Sequence, residues 1–287
     1  MKTGMLIINY NDYPSTKKLL NNIKNYSIID KVIVVDNNST DDSKKKLKSL
    51  KDPKIEIIVS KKNNGYSSAI NLGCKELIKQ LGQCNIIISN SDIIIQQEQD
   101  IKNLLELLSK KNIGVVAPTV LERGILNRGW KQPTPWIECL MNIPYIHRIV
   151  RKKLLNYKEN HYQQNTSIVD IVSGCFFLIK STTMQEIDFL DENLFLYYEE
   201  NVLATKLKKI NKKSIIDNKT MIVHNHSVTI DKNMNLIKKY KIQKKSQYYF
   251  EKEYNKANII QRILLKLTAT ITQGILSIYY FGKDLVK

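Results

Sequence analysis

The sequence predicts an α/β fold built on a mostly parallel sheet flanked by helices, and two observations carry that prediction. Four short runs in the first half are apolar on both faces, as strands covered by helices on two sides must be. Segments of helical period alternate with them, and the resulting βαβαβαβ order needs right-handed crossovers between parallel neighbours.

The strands come first. "MLIINY", "KVIVVDN", "IEIIVSK" and "NIIISNSD" are the four runs, and "GVVAPTV" reads as a fifth. After Gly65 a helix places Ile70, Cys74, Leu77, Ile78 and Leu81 on one stripe, and "DIKNLLELLSK" does the same with Ile101, Leu104, Leu105 and Leu108. From about Arg123 to Asn165 the pattern dissolves into Gly, Pro, Trp and basic residues, which suits a lid, a binding loop or a link. Regularity returns at "SIVDIVSGCFFLIK", read as one strand with a central Gly. A helix over "DENLFLYYEENVLATKLKKI" and a strand over "KSIIDNKTMIVHNHS" follow, and the tail from about Asn235 is Lys-rich and helical. There is no internal repeat.

Composition narrows the partners. At 287 residues and 43% hydrophobic, the chain can bury one main core plus an appendage. With 45 Lys and Arg against 27 Asp and Glu, the net charge of +18 favours phosphates, nucleic acid or anionic lipid. Cys74, Cys84, Cys139 and Cys175 lie far apart with no C-x-x-C pair, so neither a zinc site nor a disulfide framework is expected and a reducing cytoplasm fits. The start of the chain lacks an apolar core long enough for a signal peptide, and no uninterrupted 18-residue apolar stretch announces a spanning helix. No G-x-G-x-x-G follows the first strand, which argues against a dinucleotide oxidoreductase. A nucleic-acid binder is also disfavoured, because no aromatic-interleaved basic motif is present.

Three strand ends carry candidate chemistry, since ligands of open parallel sheets bind beyond the carboxyl ends of the strands. In "VVDNNSTDDS", Asp36 is placed to accept a hydrogen bond from a base N–H or ribose hydroxyl, yet Ser39 and Asp42 equally form an S-x-x-D helix cap. In "NNGYSSAINLG", backbone amides at a helix start can face an anion, or the stretch is an ordinary Gly loop. In "IIISNSDIII", Asp92 can hold Mg²⁺ or Mn²⁺ together with a substrate diphosphate, or cap a turn.

The order of these motifs, followed by "VSGCFFLIK" and "LDENLFLYYEEN", resembles family 2 of the inverting nucleotide-sugar glycosyltransferases, in particular its rhamnosyltransferase-like bacterial branch, from about Met5 to Ser227. The resemblance implies a GT-A fold over residues 1–234, with a nucleotide-binding half at about 1–120, an acceptor half at about 121–234, and a basic helical appendage at 235–287. It implies nucleotide contacts from Asn9, Tyr10, Asp36, Asn38, Asn64, Gly65, Asn71, Asn90 and Asp92. The family's D-x-D motif stands here as Asn90-Ser91-Asp92, and Asp92 with His226 would hold Mn²⁺ or Mg²⁺. The family's acidic pair at a helix start is Glu199-Glu200, with Glu200 as catalytic base and Glu199 in reserve. A further Asp common in that helix is replaced by Val202, and Ser173 and Gly174 would line the acceptor side.

The implied activity moves a sugar from a UDP-hexose or dTDP-rhamnose donor to a lipid-linked or protein-linked glycan in cell-surface polysaccharide or glycoprotein synthesis. A catalytically weakened sugar-nucleotide-binding or scaffolding relative is the alternative, because three positions, Asn90, Glu200 and Val202, depart from the family's pattern. The tail "ANIIQRILLKLTATITQGILSIYYFGK" suits a membrane interface, and equally suits packing on its own domain or on another copy of the chain. The expected location is the cytoplasm, peripheral at the inner face of the cell membrane.

Overall fold

The computed structural model describes residues 1–225 and 235–284. Strands β1 (Lys2–Asn9), β2 (Lys31–Asp36), β3 (Ile55–Val59) and β4 (Cys84–Asn90) run parallel in the spatial order β3-β2-β1-β4. Helices α1 (Tyr13–Ile23), α2 (Ser43–Lys48), α3 (Tyr66–Leu81) and α4 (Glu98–Ser109) supply the connections. Alternation along the strands explains the double-faced apolar runs. Leu6, Ile8, Ile33 and Val35 pack with Ile70, Cys74 and Leu77 of α3, whereas Met5, Ile7, Val32 and Val34 pack with α1 and with Ile101, Leu104 and Leu108 of α4. Each such side chain is fully buried or nearly so, and each contributes roughly 1.5–3 kcal/mol of burial.

Beyond β4 the sheet becomes mixed. The full order is β3-β2-β1-β4-β9-β6-β10-β5, where β5 is Ile93–Ile94, β6 is Ile113–Glu122, β9 is Phe176–Lys180 and β10 is Lys213–His224. Strand β9 inserts antiparallel between β4 and β6, and β10 runs parallel to β6. Two further strands, β7 (Ile125–Asn127) and β8 (Thr166–Val169), pair with β6 and β10 off this path.

Three stretches differ from the sequence expectation. "SIVDIVSGCFFLIK" is two strands: β8 pairs with β10 while β9 lies at the centre of the sheet, and the turn carrying Ser173 and Gly174 crosses between them. The segment from Arg123 to Asn165 contains α5 (Pro135–Met141), α6 (Ile146–Val150) running into a π-helical turn at Arg151–Leu155, and a 3₁₀ turn at Glu159–Tyr162. Local caps made it hard to see, for α5 starts on Thr134, whose hydroxyl accepts from the Ile137 N–H, with Pro135 behind it. The helix expected from Asp191 begins only at Glu199, because Tyr197 and Tyr198 both hold φ near +71° and break the helical path.

After α7 (Ser181–Glu186) and α8 (Glu199–Lys209), the tail forms α9 (Leu236–Glu253) and α10 (Ile259–Asp284). In α9, Phe250 packs with Leu194 and Val202, and Asp191 accepts from the Tyr249 hydroxyl at 2.8 Å and the Tyr254 hydroxyl just beyond at 2.7 Å. No uninterrupted 18-residue apolar stretch occurs here, yet one helix passes a length and composition test for a span. Residues Ile259–Ile278 are long and apolar enough to cross a membrane by length and composition, with a mean hydropathy of 1.2 and 17% of the window buried. Arg262 and Lys266 interrupt the run without lowering its average below that level. The four cysteines are free and buried.

Candidate active site

A cavity of about 280 Å³ opens beyond the carboxyl ends of β1 and β4. Its wall includes Tyr10, Asn37, Asn63, Gly65, Tyr66, Asn90, Asp92, Glu122, Ser173, Gly174, Tyr197, Glu199, Glu200 and His224.

The acidic lip after β2 is turned inward. Asp36 is fully buried, its Oδ1 accepts from the Ser39 N–H at 2.9 Å, and its Oδ2 accepts from the Ser39 hydroxyl at 2.6 Å and the Asn9 amide at 2.8 Å. Asn9 Oδ1 in turn accepts from the Thr16 hydroxyl at 2.8 Å. Ser39 therefore does not cap α2, which starts at Ser43 after Asp42. Asn9 and Asp36 lie beneath the cavity as scaffold, and the residue that this loop presents to the cavity is Asn37. The Asn37 amide donates to Asn63 Oδ1 at 3.0 Å and to the Gly65 carbonyl at 3.1 Å, joining two strand ends across the floor.

Three further residues expected at the nucleotide do not line the cavity. Asn38, with φ at +61°, accepts from Lys44 at 2.6 Å. Asn64 is exposed beside Gly65. Asn71 is buried within α3, where its amide donates to the Leu190 carbonyl at 2.8 Å and to Glu192 at 2.9 Å while accepting the Leu190 N–H at 3.0 Å. All of these bonds are spent on holding the 190–192 loop, so the side chain has nothing left for a nucleotide.

Gly65 also has a different task from the expected anion cradle. Its φ is +101°, and a Cβ there would lie 2.3 Å from the Phe195 carbonyl oxygen. The first helical amide of α3, on Tyr66, donates to that same oxygen at 2.9 Å. The helix start thus seats the loop leading to Glu199 and Glu200, and only a residue without a side chain lets the two backbones approach so closely.

On the opposite wall, strand pairing assembles a polar cluster. His224 opposes Ile93 in the β10–β5 ladder, which brings the imidazole beside Asp92. His224 Nε2 lies 3.2 Å from Asp92 Oδ1, and Nδ1 lies 3.4 Å from Glu122 Oε2. Burial pulls the imidazole's affinity for protons down, but hydrogen bonds to Asp92 and Cys175 outweigh it and push the pKa up to about 11. Asn90 is held in place, since Tyr66 donates its hydroxyl to Asn90 Oδ1 at 2.6 Å and lies 3.1 Å from the Gly174 carbonyl.

Without a cation the imidazole holds its proton between Asp92 and Glu122. An incoming divalent cation would displace that proton, and Asp92 and His224 would then offer it one carboxylate oxygen and one imidazole nitrogen, while among the described residues no third His, Cys, Asp or Glu joins them as a group. That donor set fits Mg²⁺ or Mn²⁺ when substrate phosphate oxygens and water complete the shell. His226, expected as a ligand, lies outside the described residues.

Glu199 and Glu200 open α8 on the third wall. Burial, and then the charge of Glu200, hold the Glu199 carboxyl well above the usual carboxylate range. Burial also raises Glu200, but the hydrogen bond from Glu199 favours its ionised form. Of the two, Glu199 holds its proton more tightly. A Cβ on Gly174 would sit 3.5 Å from Glu200 Oε1, so the Ser173-Gly174 turn borders that carboxylate directly. Val202, one turn on, is fully buried against Leu194 and Phe250, which makes the position core.

The sequence reading brings Tyr10, Gly65, Asn90, Asp92, Ser173, Gly174, Glu199 and Glu200 to one cavity, and it missed Asn37, Asn63, Tyr66, Glu122 and Tyr197. In "HNHS" the two histidines fall on one face of a strand, and where the sequence reading prefers His226 the structure brings His224 beside Asp92.

Residues 5–185 match the family model described as glycosyl transferase family 2. The chain is similar to the low-salt glycan biosynthesis hexosyltransferase Agl10 of Haloferax volcanii, 25% identical over 208 residues, which is 72% of this chain and 62% of that relative. The chain thus spans under two thirds of the curated relative it matches. Among solved structures it resembles GalNAc-T7 with UDP, GalNAc and Mn²⁺, with a TM-score of 0.62 and 14% identity over 79% of this chain and 44% of that one. It also resembles the mannosyltransferase PcManGT from Pyrobaculum calidifontis with GDP-Man and Mn²⁺, with a TM-score of 0.58 and 12% identity over 99% of this chain and 80% of that one. Both structural likenesses are of fold.

Proposed function

The chain belongs to glycosyl transferase family 2, and on that premise we propose that it transfers a sugar from a nucleotide diphosphate donor to a hydroxyl of a glycan acceptor, with inversion at the anomeric carbon. The observation that carries the reading is the unequal carboxyl pair. Glu200, lining the cavity against the Gly174 turn and releasing its proton more readily than its neighbour Glu199, is the base such a reaction needs. The acceptor oxygen attacks C1 of the sugar from the face opposite the diphosphate, its proton passes to Glu200, and the C1–O bond to the diphosphate breaks with the electron pair leaving on phosphate. Burial that raises the Glu200 pKa strengthens it as a base.

The rest of the wall suits the donor. Asn37 offers its side-chain carbonyl and Asn63 its amide N–H to a nucleoside, Tyr10 offers a ring and hydroxyl, and Asp92 with His224 would hold Mg²⁺ or Mn²⁺. Such a cation neutralises charge building on the departing diphosphate. The Tyr66 phenol, pushed well above its usual range by burial and then by nearby acidic groups, stays protonated and keeps Asn90 oriented. A UDP-hexose or dTDP-sugar is the donor class and a lipid-linked or protein-linked glycan the acceptor class.

The test is Glu200→Gln in the full chain, with donor hydrolysis and transfer followed beside UDP and dTDP binding by calorimetry with Mn²⁺. Turnover should fall about 10²–10⁴-fold with nucleotide affinity kept. Unchanged turnover would remove Glu200 as base, and an inactive parent chain that still binds nucleotide would favour the scaffolding relative.

A further inference from the structure

Helix α10 carries more exposed apolar surface than its fold position requires. Ile263, Leu267, Ile271 and Ile275 form an i, i+4 series, each about half exposed, and Ile259, Ile260 and Ile278 extend it to both ends. The opposite face of the helix is fastened to the protein. Asn142 donates to the Leu265 carbonyl at 3.4 Å and to the Thr268 hydroxyl at 3.1 Å, and its own carbonyl accepts from Thr272 at 2.6 Å. Tyr240 of α9 donates to the Ala269 carbonyl at 3.2 Å. A helix fixed this way along residues 261–272 cannot also be wrapped by lipid over the same length, so it presents one side and does not cross.

Beside that stripe, α9 and α10 enclose a groove of about 350 Å³ lined by Lys241, Lys244, Lys245 and Lys266 together with Tyr240 and Tyr248. No Asp or Glu lines it among the described residues. The Lys266 ammonium sits 4.6 Å from the Tyr248 ring centre, while Lys244, 5.2 Å from the Tyr240 ring centre, turns inward to donate to Asn142 Oδ1 at 2.6 Å, which leaves Lys241, Lys245 and Lys266 to face the groove. On the other side of the Asn142 joint, the α6 segment repeats the combination. Tyr145, Ile146, Ile149 and Leu154 are exposed there, interleaved with exposed Arg148, Arg151, Lys152 and Lys153. Apolar residues that stand beside cations with no ion-pair partner among the described residues match the two layers of an anionic bilayer surface, acyl chains below and phosphates above. An interface with a second copy would bring these cations against one another.

We propose that α10 lies in the plane of an anionic membrane surface, with the Ile263–Ile275 series in the acyl boundary and the lysine groove holding a lipid headgroup phosphate. This goes beyond the transfer chemistry and does not depend on it.

The experiment is co-flotation of the full chain with phosphatidylcholine vesicles, with or without about a third of phosphatidylglycerol. Two variants accompany it, Leu267→Gln/Ile271→Gln on the stripe and Lys241→Glu/Lys245→Glu in the groove, and each is checked for unchanged thermal unfolding. Binding should require the anionic lipid, and each variant should weaken it by about tenfold or more. Soluble inorganic phosphate at millimolar concentration should leave binding nearly intact, because it replaces the headgroup without supplying the bilayer. Equal binding to neutral vesicles, binding that survives alkaline carbonate extraction, or a dimer that the stripe variant dissociates in the absence of vesicle binding would each overturn the proposal.

Discussion

Replacing Gly65 by alanine tests whether this residue exists for the catalytic-side loop or for an anion. Its φ of +101° and ψ of 178° lie in a region that side chains other than hydrogen scarcely enter, at a cost on the order of 1–3 kcal/mol. The added methyl would lie 2.3 Å from the Phe195 oxygen and 2.6 Å from its Cα, and both are backbone atoms. Neither can rotate aside, so the loop must retreat by about 1 Å to reach a normal contact, which adds on the order of 1–3 kcal/mol of overpacking. The combined loss is about 2–6 kcal/mol. The retreat also breaks the Tyr66 N–H bond to Phe195, made at 2.9 Å, and shifts the peptide that leads through Tyr197 and Tyr198 to the acidic pair. A 1 Å misplacement there should lower turnover about 10²-fold. Urea unfolding at constant slope, together with transfer rates and UDP affinity, measures all three quantities. A destabilisation below about 1 kcal/mol with turnover unchanged would refute the packing argument, whereas lost nucleotide affinity at full stability would restore the anion cradle.

Other outcomes follow from named contacts. Asn71→Ala should cost about 2–4 kcal/mol in urea unfolding, since it leaves buried groups of Leu190 without partners, while UDP affinity in the folded fraction stays the same. His224→Asn should weaken Mn²⁺-dependent nucleotide binding about 10–100-fold in calorimetry, with the metal-free affinity little altered. Glu251 is fully buried, and burial together with the charge of Glu138 pushes its pKa up to about 8. The folded state therefore keeps a proton that the unfolded chain releases near pH 4, so stability falls as pH rises from there to about 8 and then levels off. Glu251→Gln should flatten that decline, which thermal melts between pH 5 and 9 will show.

The parallel half of the sheet was legible because both faces of each strand are buried, and a run with no polar alternation leaves few other readings. The inserted strand β9 was not, because its partners β4 and β6 are brought beside it by long-range packing that no local pattern records. Glu199 and Glu200 were found through the motif they resemble. Asp36 and Asn71 were misplaced for one shared reason. A polar side chain at a strand end or helix start has the same residue type whether it faces a ligand or ties two loops together, and only the partners, Ser39 for one and Leu190 for the other, decide between these roles. His224 shows the converse, since its place beside Asp92 depends on a ladder between residues more than a hundred positions apart.

The tail and the acidic pair are mechanically one unit. Asp191, at the start of the loop that ends in Glu199, is held by the Tyr249 and Tyr254 hydroxyls, and the Ser246 hydroxyl donates to the Leu196 carbonyl at 2.7 Å. Tyr198, the residue before the pair, donates to buried Glu138 of α5 at 2.9 Å, and Gln247 of α9 donates to the same carboxylate. Two consecutive tyrosines at φ near +71° cost about 1–3 kcal/mol each and persist only where their surroundings hold them. These hydroxyl and amide contacts are that hold, because they fix the loop from its first residue to its last. It follows that α9 does more than extend the chain: it sets where the carboxylate of Glu200 stands, and a force applied to α9 and α10 from outside has a direct path to that carboxylate.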